Sequence, residues 1–412
     1  MFSYKTQLQS LFVRLFVSAI GFLVSIIIVR LYSKEIVSDY FLYVSFGNLC
    51  AQILTFGCTP TINKLASEGV SFKKIIYKYI TQYKPYFIFF VVSLLIISSL
   101  YSQLKLLSLA VVSILLFALL IQSEILKGRG DYLYSQLFTG AISNILFLMI
   151  SIFLNKNFNI TIHELILIWC ISLIFSNLLC ILVNSKYNQN KDIRGNLFDK
   201  NKTQKIYISM VIVYCFSQID LWVVASFFDE NIIAQYALST RLALLLTFPL
   251  MAARNITASK IPIYINKDKA ILQQEISKSC LFSFCISTLV LLFIIFFGKF
   301  IIQAIYSSEY DLVFYLLLIF AVGQLINSLT GPCDQLLTHT NQEYIYLKLT
   351  IFSFILLLFF ILTLYILDCK NIYYYAFSVS FVIIIQNILI SFYVYKRLHI
   401  ISLPLRMKYE NR

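Results

Sequence analysis

Long apolar stretches divided by short polar ones set the pattern of this chain. The hydrocarbon core of a bilayer, about 30 Å thick, is crossed by about 20 apolar residues in a helix, with a working range of about 17–25. Twelve stretches fall in that range: residues 9–31, 39–57, 85–101, 106–126, 134–154, 162–184, 206–228, 232–253, 279–297, 312–331, 345–367 and 372–395. Barrel strands alternate apolar and polar positions over about ten residues. Residues 281–297 are instead apolar on every face, so the spans read as helices. The pattern predicts an all-α integral membrane protein of twelve transmembrane helices. The first stretch has a charged start, Lys5 and Arg14, but no small-residue cleavage site, which reads as a retained span and not a signal peptide.

Lysine and arginine in the connections set the orientation. Loops on the side of both termini hold Lys64, Lys73, Lys74, Lys78 and Lys84 after the second span and Lys186, Lys191, Arg194, Lys200, Lys202 and Lys205 after the sixth. The same side holds Arg254, Lys260, Lys267, Lys269 and Lys278 after the eighth, whereas the opposite side has only Lys34, Lys105, Lys156, Lys299 and Lys370. Both termini are therefore predicted to be cytoplasmic. Composition agrees, since 60% hydrophobic and 13% charged residues cannot cover a soluble surface, which takes about a quarter charged. The net charge of +14 follows from basic cytoplasmic loops that meet the anionic head groups of membrane lipids, and nucleic-acid binding is not needed to explain it. The cysteines lie mostly inside apolar stretches without a CxxC pair, and His163, His339 and His399 stand far apart, so no metal site and no cofactor are expected.

Sliding the chain on itself by 196 residues lays spans one and two on spans seven and eight. Ile36 falls on Ile232, Tyr40 on Tyr236, Leu42 on Leu238, Leu54 on Leu250, Thr61 on Thr257 and Lys64 on Lys260. The basic connection 58–84 falls on the basic connection 254–278, both read as long loops. Two six-helix bundles follow, residues 1–185 and 206–412, joined by a polar cytoplasmic linker, 186–205. Six is even, so the halves enter the membrane in the same orientation and are expected as parallel repeats around a central cavity, an arrangement suited to transport.

Charges inside spans are costly, at least about 2.5 kcal/mol each near the centre, and mark function. Arg14 lies in span one between Val13 and Leu15; snorkelling to the head groups is its bland alternative. Asp220, in the run Ser217-Gln218-Ile219-Asp220-Leu221-Trp222, is the deepest charge and too short to snorkel. Arg241 in span eight has two candidate partners, Asp220 and an anionic substrate, and Pro249 below it is expected to kink the helix. Glu124 and Asp334 stand near the cytoplasmic ends of spans four and ten, as solvated ends or as coupling or gating groups. Asn48, Gln52, Gln218, Gln324 and Asn327 are candidate cavity hydrogen-bonders, although each also suits the plainer task of joining helices. At the 196-residue offset Arg14, Asp220 and Arg241 meet Met210, Val24 and Ser45, so the charges break the repeat.

The two sixes of spans, the span-seven aspartate, the acidic turn and tyrosine of residues 227–242 and the paired basic connections resemble polysaccharide flippases. These are the Wzx-type O-antigen transporters of the multidrug/oligosaccharidyl-lipid/polysaccharide exporter superfamily, with its MATE-like fold. The resemblance implies a bacterial inner-membrane protein that moves an undecaprenyl-pyrophosphate-linked oligosaccharide to the periplasmic leaflet. Polysaccharide polymerase and chain-length machinery of lipopolysaccharide synthesis are the candidate partners, an H+ or Na+ gradient is the candidate driving force, and Asp220 is a candidate either to carry a coupling proton or to neutralise Arg241. Family members tend to carry charges along their cavity, and Arg14, Asp220 and Arg241 occupy comparable span positions. A drug/cation antiporter of the same superfamily is the alternative. A membrane polysaccharide polymerase ranks lower, because the longest external connection, residues 298–311, offers little convergent chemistry for an enzyme.

Overall fold

A computed structural model describes residues 4–100, 104–155, 160–186, 200–265, 268–340 and 342–404. Its helices, in chain order, are α1 (Tyr4–Leu31), α2 (Lys34–Leu54), α3 (Thr59–Ser67), α4 (Phe72–Leu100), α5 (Leu104–Gly128), α6 (Tyr132–Leu137), α7 (Ser143–Asn155) and α8 (Ile162–Ser185). They continue with α9 (Lys200–Phe227), α10 (Glu230–Ala243), α11 (Phe248–Tyr264), α12 (Lys269–Tyr306), α13 (Asp311–Thr330), α14 (Cys333–His339), α15 (Glu343–Ile366) and α16 (Ile372–Leu398). Among the described residues ten helical segments are long and apolar enough to cross a membrane, or eleven if the bent pair α2 and α3 counts as one span. The predicted span 85–101 lies on α4, and its last residue, Tyr101, falls outside the described residues.

Local chemistry fixes several helix starts. The Glu164 carboxylate accepts from the Thr161 backbone N–H at 2.7 Å, one arm of a capping box for α8. Asp268 accepts from the N–H groups of Ala270 and Ile271, at 3.0 and 3.1 Å, to start α12.

The chain divides into two compact units, Met1–Cys215 and Phe216–Arg412. The division falls inside α9 because the early turns of that helix pack on the first unit. Thr59 Oγ1 lies 3.7 Å from Met210 Sδ, and the Tyr214 hydroxyl donates to the Ser45 carbonyl at 2.8 Å. Of the linker predicted over 186–205, residues 200–205 are already helical in α9, and residues 187–199 lie outside the described residues.

Within the first unit α2 packs on α5 and α5 on α8; within the second α10 packs on α13 and α13 on α16. These are spans two, four and six and their counterparts eight, ten and twelve. Helices immersed in lipid gain nothing from hiding apolar surface from one another, so small and polar residues hold these seams. Gln122 Nε2 donates to Asn177 Oδ1 at 2.8 Å between α5 and α8. On the other side Ser380 Oγ donates to the Ile319 carbonyl at 2.8 Å, beside Gly323, between α16 and α13.

The connections 58–84 and 254–278, expected as basic loops, are mostly helical. In the first, Ile75, Tyr79 and Tyr83 recur every fourth residue and bury themselves with Cys58, Ile62, Leu65 and Ile121. In the second, Leu272, Ile276 and Cys280 do the same with Ile261, Leu336 and Val394. One apolar stripe suffices for a helix resting on protein, and a search for unbroken apolar runs does not detect it. Beyond α16 the chain turns back through His399 in the left-handed region, and Gln273 exchanges two 2.7 Å hydrogen bonds with the backbone of Ile401.

α2 ends in a 61° bend into α3. Phe56 and Gly57 take φ of 45° and 68° there. A Cβ at Gly57 would also press into the backbone of Thr203 and Tyr207 on α9, so the position demands glycine twice over. Gly57→Ala is expected to destabilise the protein by about 2–4 kcal/mol, whereas Gly21→Ala, with no atom from outside its own stretch of helix within 4 Å of the new methyl, should leave stability unchanged or raise it by up to about 1 kcal/mol. Thermal unfolding of the purified variants in detergent checks the contrast, and equal melting temperatures would contradict it.

Candidate functional site

Asp220 on α9 and Tyr236 on α10 lie eight residues before and after Phe228, at the short turn joining the two helices. At 1.5 Å per residue both stand about 12 Å from the turn, and antiparallel neighbours bring them face to face. The Tyr236 hydroxyl donates to Asp220 Oδ2 at 2.9 Å. Asp220 is 5% exposed and Tyr236 not at all. The Tyr236 ring meets Phe320 of α13 edge-on, 5.3 Å between centroids. A carboxylate this deep needs a donor, and the donor is a hydroxyl, not the Arg241 guanidinium that the sequence offered. Arg241 sits five residues further along α10 and is half-buried.

The corresponding positions of the first unit carry no copy of this pair. Tyr40, the counterpart of Tyr236, stacks on Phe147 at 5.7 Å and 5° and tilts against Trp169. Asp220 is replaced by the buried Val24.

Past Arg241, α10 gives way to a 3-10 turn, Leu244–Thr247, and Pro249 enters the first turn of α11, buried. Proline has no N–H to return to the helix ladder. The Leu246 carbonyl accepts from Ser287 Oγ of α12 at 2.7 Å, and Ser328 Oγ of α13 lies 3.0 Å from Ser287 Oγ. Neither serine was singled out in the sequence. Regular spacing did not mark the π-helical turn Phe138–Ile142 of span five either, where Ser176 donates to the Phe138 carbonyl at 3.2 Å.

Arg14 is exposed on α1, beside the exposed Phe12, Leu15 and Phe16. Asn48 spends its amide on the Val44 carbonyl of its own helix, 2.7 Å away. Gln52 Oε1 is buried and accepts no hydrogen bond among the described residues. Asn327 donates to Gln324 at 3.2 Å, and Gln218 lies 3.5 Å from the Ser217 hydroxyl. Arg14, Asn48 and Gln52 thus belong to the first unit, and Asp220, Gln218, Arg241, Gln324 and Asn327 to the second.

Glu124 and Asp334 take matching places in the two units. Glu124 contacts Lys127 at 2.5 Å and accepts from Asn63 of α3 at 3.3 Å. Asp334 lies 3.2 Å from Arg254 Nε of α11, next to the Thr257 to Gln335 contact at 3.5 Å. Each carboxylate holds the tail beyond the break of the second or eighth span. Among the described residues no three His, Cys, Asp or Glu side chains gather as metal ligands.

Removing the Tyr236 hydroxyl strands a buried carboxylate. Tyr236→Phe is expected to cost about 1–3 kcal/mol, while Asp220→Asn keeps an acceptor for Tyr236 and should melt close to the parent protein. Unfolding curves for the two variants test this ranking, and a less stable Asp220→Asn would reverse the assignment.

No protein-family model matches the chain, and no curated protein sequence matches it. Solved structures do. The lipid II flippase MurJ, in an inward closed conformation, is 16% identical and superposes with a TM-score of 0.69 over 93% of this chain and 86% of that one. A multidrug resistance MATE family transporter of the MOP superfamily, inward-facing, is 14% identical with a TM-score of 0.71 over 94% and 98%. A MOP superfamily transporter from Pyrococcus furiosus, described by the reverse polarity of its binding pocket, is 13% identical with a TM-score of 0.64 over 95% and 94%. At such identities a likeness carries the fold and nothing finer: this all-α, multi-pass membrane protein has the MATE-like, two-lobed twelve-helix fold common to MurJ and these transporters.

Proposed function

We propose that the protein is a lipid-linked oligosaccharide flippase, carrying undecaprenyl-pyrophosphate-linked repeat units across a bacterial inner membrane by alternating access, with both termini cytoplasmic. The observation that carries the reading is the sign of the span charges: guanidinium groups at Arg14 and Arg241, with the Asp220 carboxylate already engaged by Tyr236. That balance favours an anionic head group over a cationic drug.

The physical task follows from the substrate class. A polyprenyl tail can stay in hydrocarbon, whereas sugar and pyrophosphate must cross without losing polar partners. Arg14, near the predicted cytoplasmic end of its span, meets the pyrophosphate first. Arg241, nearer the far side, receives it later. Asp220, held by Tyr236, exchanges the coupling ion, H+ or Na+, and so biases one conformation over the other. Glu124 and Asp334 fix the bent tails on the predicted cytoplasmic side, where a change of access must begin. The O-antigen polymerisation machinery would take the product.

The alternative, a drug/cation antiporter, is favoured by one feature: Asp220 is an acidic group deep in a span, as cation exchange requires. Complementation separates the two. Expressed in a host lacking its own O-antigen flippase, the protein should restore surface polysaccharide. Arg14→Ala and Arg241→Ala should each cut that glycan at least about tenfold while membrane levels hold, the loss expected from about 1.4 kcal/mol of substrate binding. Drug resistance in an efflux-deficient host, with no glycan restored, would decide for the antiporter.

A further inference from the structure

The opening of α4, residues 72–84, is a helix of two unlike faces. Ile75, Tyr79 and Tyr83 point into the first unit and are buried. On the other side Lys73, Tyr77, Ile80 and Lys84 recur at helical spacing, with Lys73 and Lys84 exposed, Tyr77 70% exposed and Ile80 54%. Lys78, half-buried, stands about 100° further round the helix from Tyr77, at the flank of this face. Lys73, Lys78 and Lys84 form no ion pair among the described residues, whereas Lys64 of the adjacent α3 is matched by Glu68 at 3.8 Å. Past Lys84 the same helix turns lipid-like, with Tyr86 58% and Phe89 74% exposed.

The second unit manages the corresponding place differently. Glu275, in the opening turns of α12, takes Lys260 as an ion-pair partner and Lys278 at 3.4 Å, so these two lysines are neutralised by protein, and Lys269 is left as the exposed counterpart of Lys73. Among the described residues, the first unit sets the exposed Lys73 and Lys84 with the exposed Tyr77 and Tyr86 where its apolar span begins.

We propose that this face of α4 is a docking surface for the head groups of anionic phospholipids. Charge complementarity selects the ligand. Lysine at a membrane surface gains about 1 kcal/mol per residue from anionic lipid, and Tyr77 and Tyr86 suit the interfacial layer between head groups and chains. Flexible lysine ammoniums serve as point charges for phosphate without fixing its geometry, so the surface recognises phosphodiester charge and not one particular head group. It anchors the first unit asymmetrically to one leaflet. The assignment stands on this face alone, and its test needs no transport.

The test measures binding of fluorescent phosphatidylglycerol to the purified full-length protein in neutral detergent micelles, with phosphatidylcholine and a polyprenyl pyrophosphate as parallel ligands. The parent protein should bind phosphatidylglycerol over phosphatidylcholine, and high salt should weaken that binding. Lys73→Gln/Lys78→Gln/Lys84→Gln should lose about tenfold or more of the affinity at an unchanged melting temperature, while Lys269→Gln/Lys278→Gln in the second unit should lose little. If the triple variant folds poorly, Lys73→Gln/Lys84→Gln, with both side chains exposed, carries the same expectation at a smaller drop. Equal binding by parent and variant, an equal loss in the second-unit control, or affinity confined to the polyprenyl pyrophosphate would each overturn the proposal.

Discussion

Hydrocarbon offers no water to satisfy a backbone carbonyl, so a membrane helix can break only where protein supplies the missing donor. Three departures from regular helix in this chain obey that constraint, each with a hydroxyl from a neighbouring helix. Tyr79 donates to the Leu54 carbonyl at the bend of α2. Ser176 serves Phe138 at the π-turn, and Ser287 serves Leu246 at the 3-10 turn. An irregular backbone inside a membrane is expensive to keep, and these hydroxyls stabilise each break in one place. The breaks in α2 and before α11 fall on corresponding spans, but at different residues and with different chemistry: glycine in the left-handed region in one, proline and a serine pair in the other.

That difference belongs to a wider division between frame and chemistry. The frame repeats: α2 starts at Lys34 and α10 at Glu230, 196 residues apart, and both deliver a tyrosine inward two turns later. One tyrosine was left in an aromatic stack and the other was given a carboxylate to hold. The shared frame sets the depth of both, and Asp220 against Val24 makes only one of them polar. A carboxylate in lipid is tolerable only where a donor already waits, and the repeated tyrosine provides such a place in both halves.

How much of this was legible in the sequence depends on which physical signal each feature carries. A span is an excess of apolar residues over about 20 positions, which survives local error, and the boundaries of α8, α15 and α16 fall close to the apolar runs. The start of α4 carries a weaker signal, a buried stripe at every fourth residue interrupted by lysines. Asp220 was conspicuous because its flanks are apolar. Its partner was not, since tyrosine is abundant here and nothing local distinguishes Tyr236; the clue was its distance from the turn, which matters only once two helices are known to be adjacent. Arg241 looked the better partner by charge alone, yet it lies too far along α10 for its own hairpin to align it with Asp220. Glu124 and Asp334 were visible as charges, but that they clasp the tails of other helices is tertiary information.

The hairpin between α9 and α10 is a ruler. Two residues of turn set equal arm lengths, and each residue added or removed would rotate one arm by about 100° and slide it by about 1.5 Å. Relatives that share the acid but differ in loop length would aim it elsewhere, toward lipid or toward another helix. Conservation of the aspartate without conservation of the turn would therefore preserve a letter and lose its meaning.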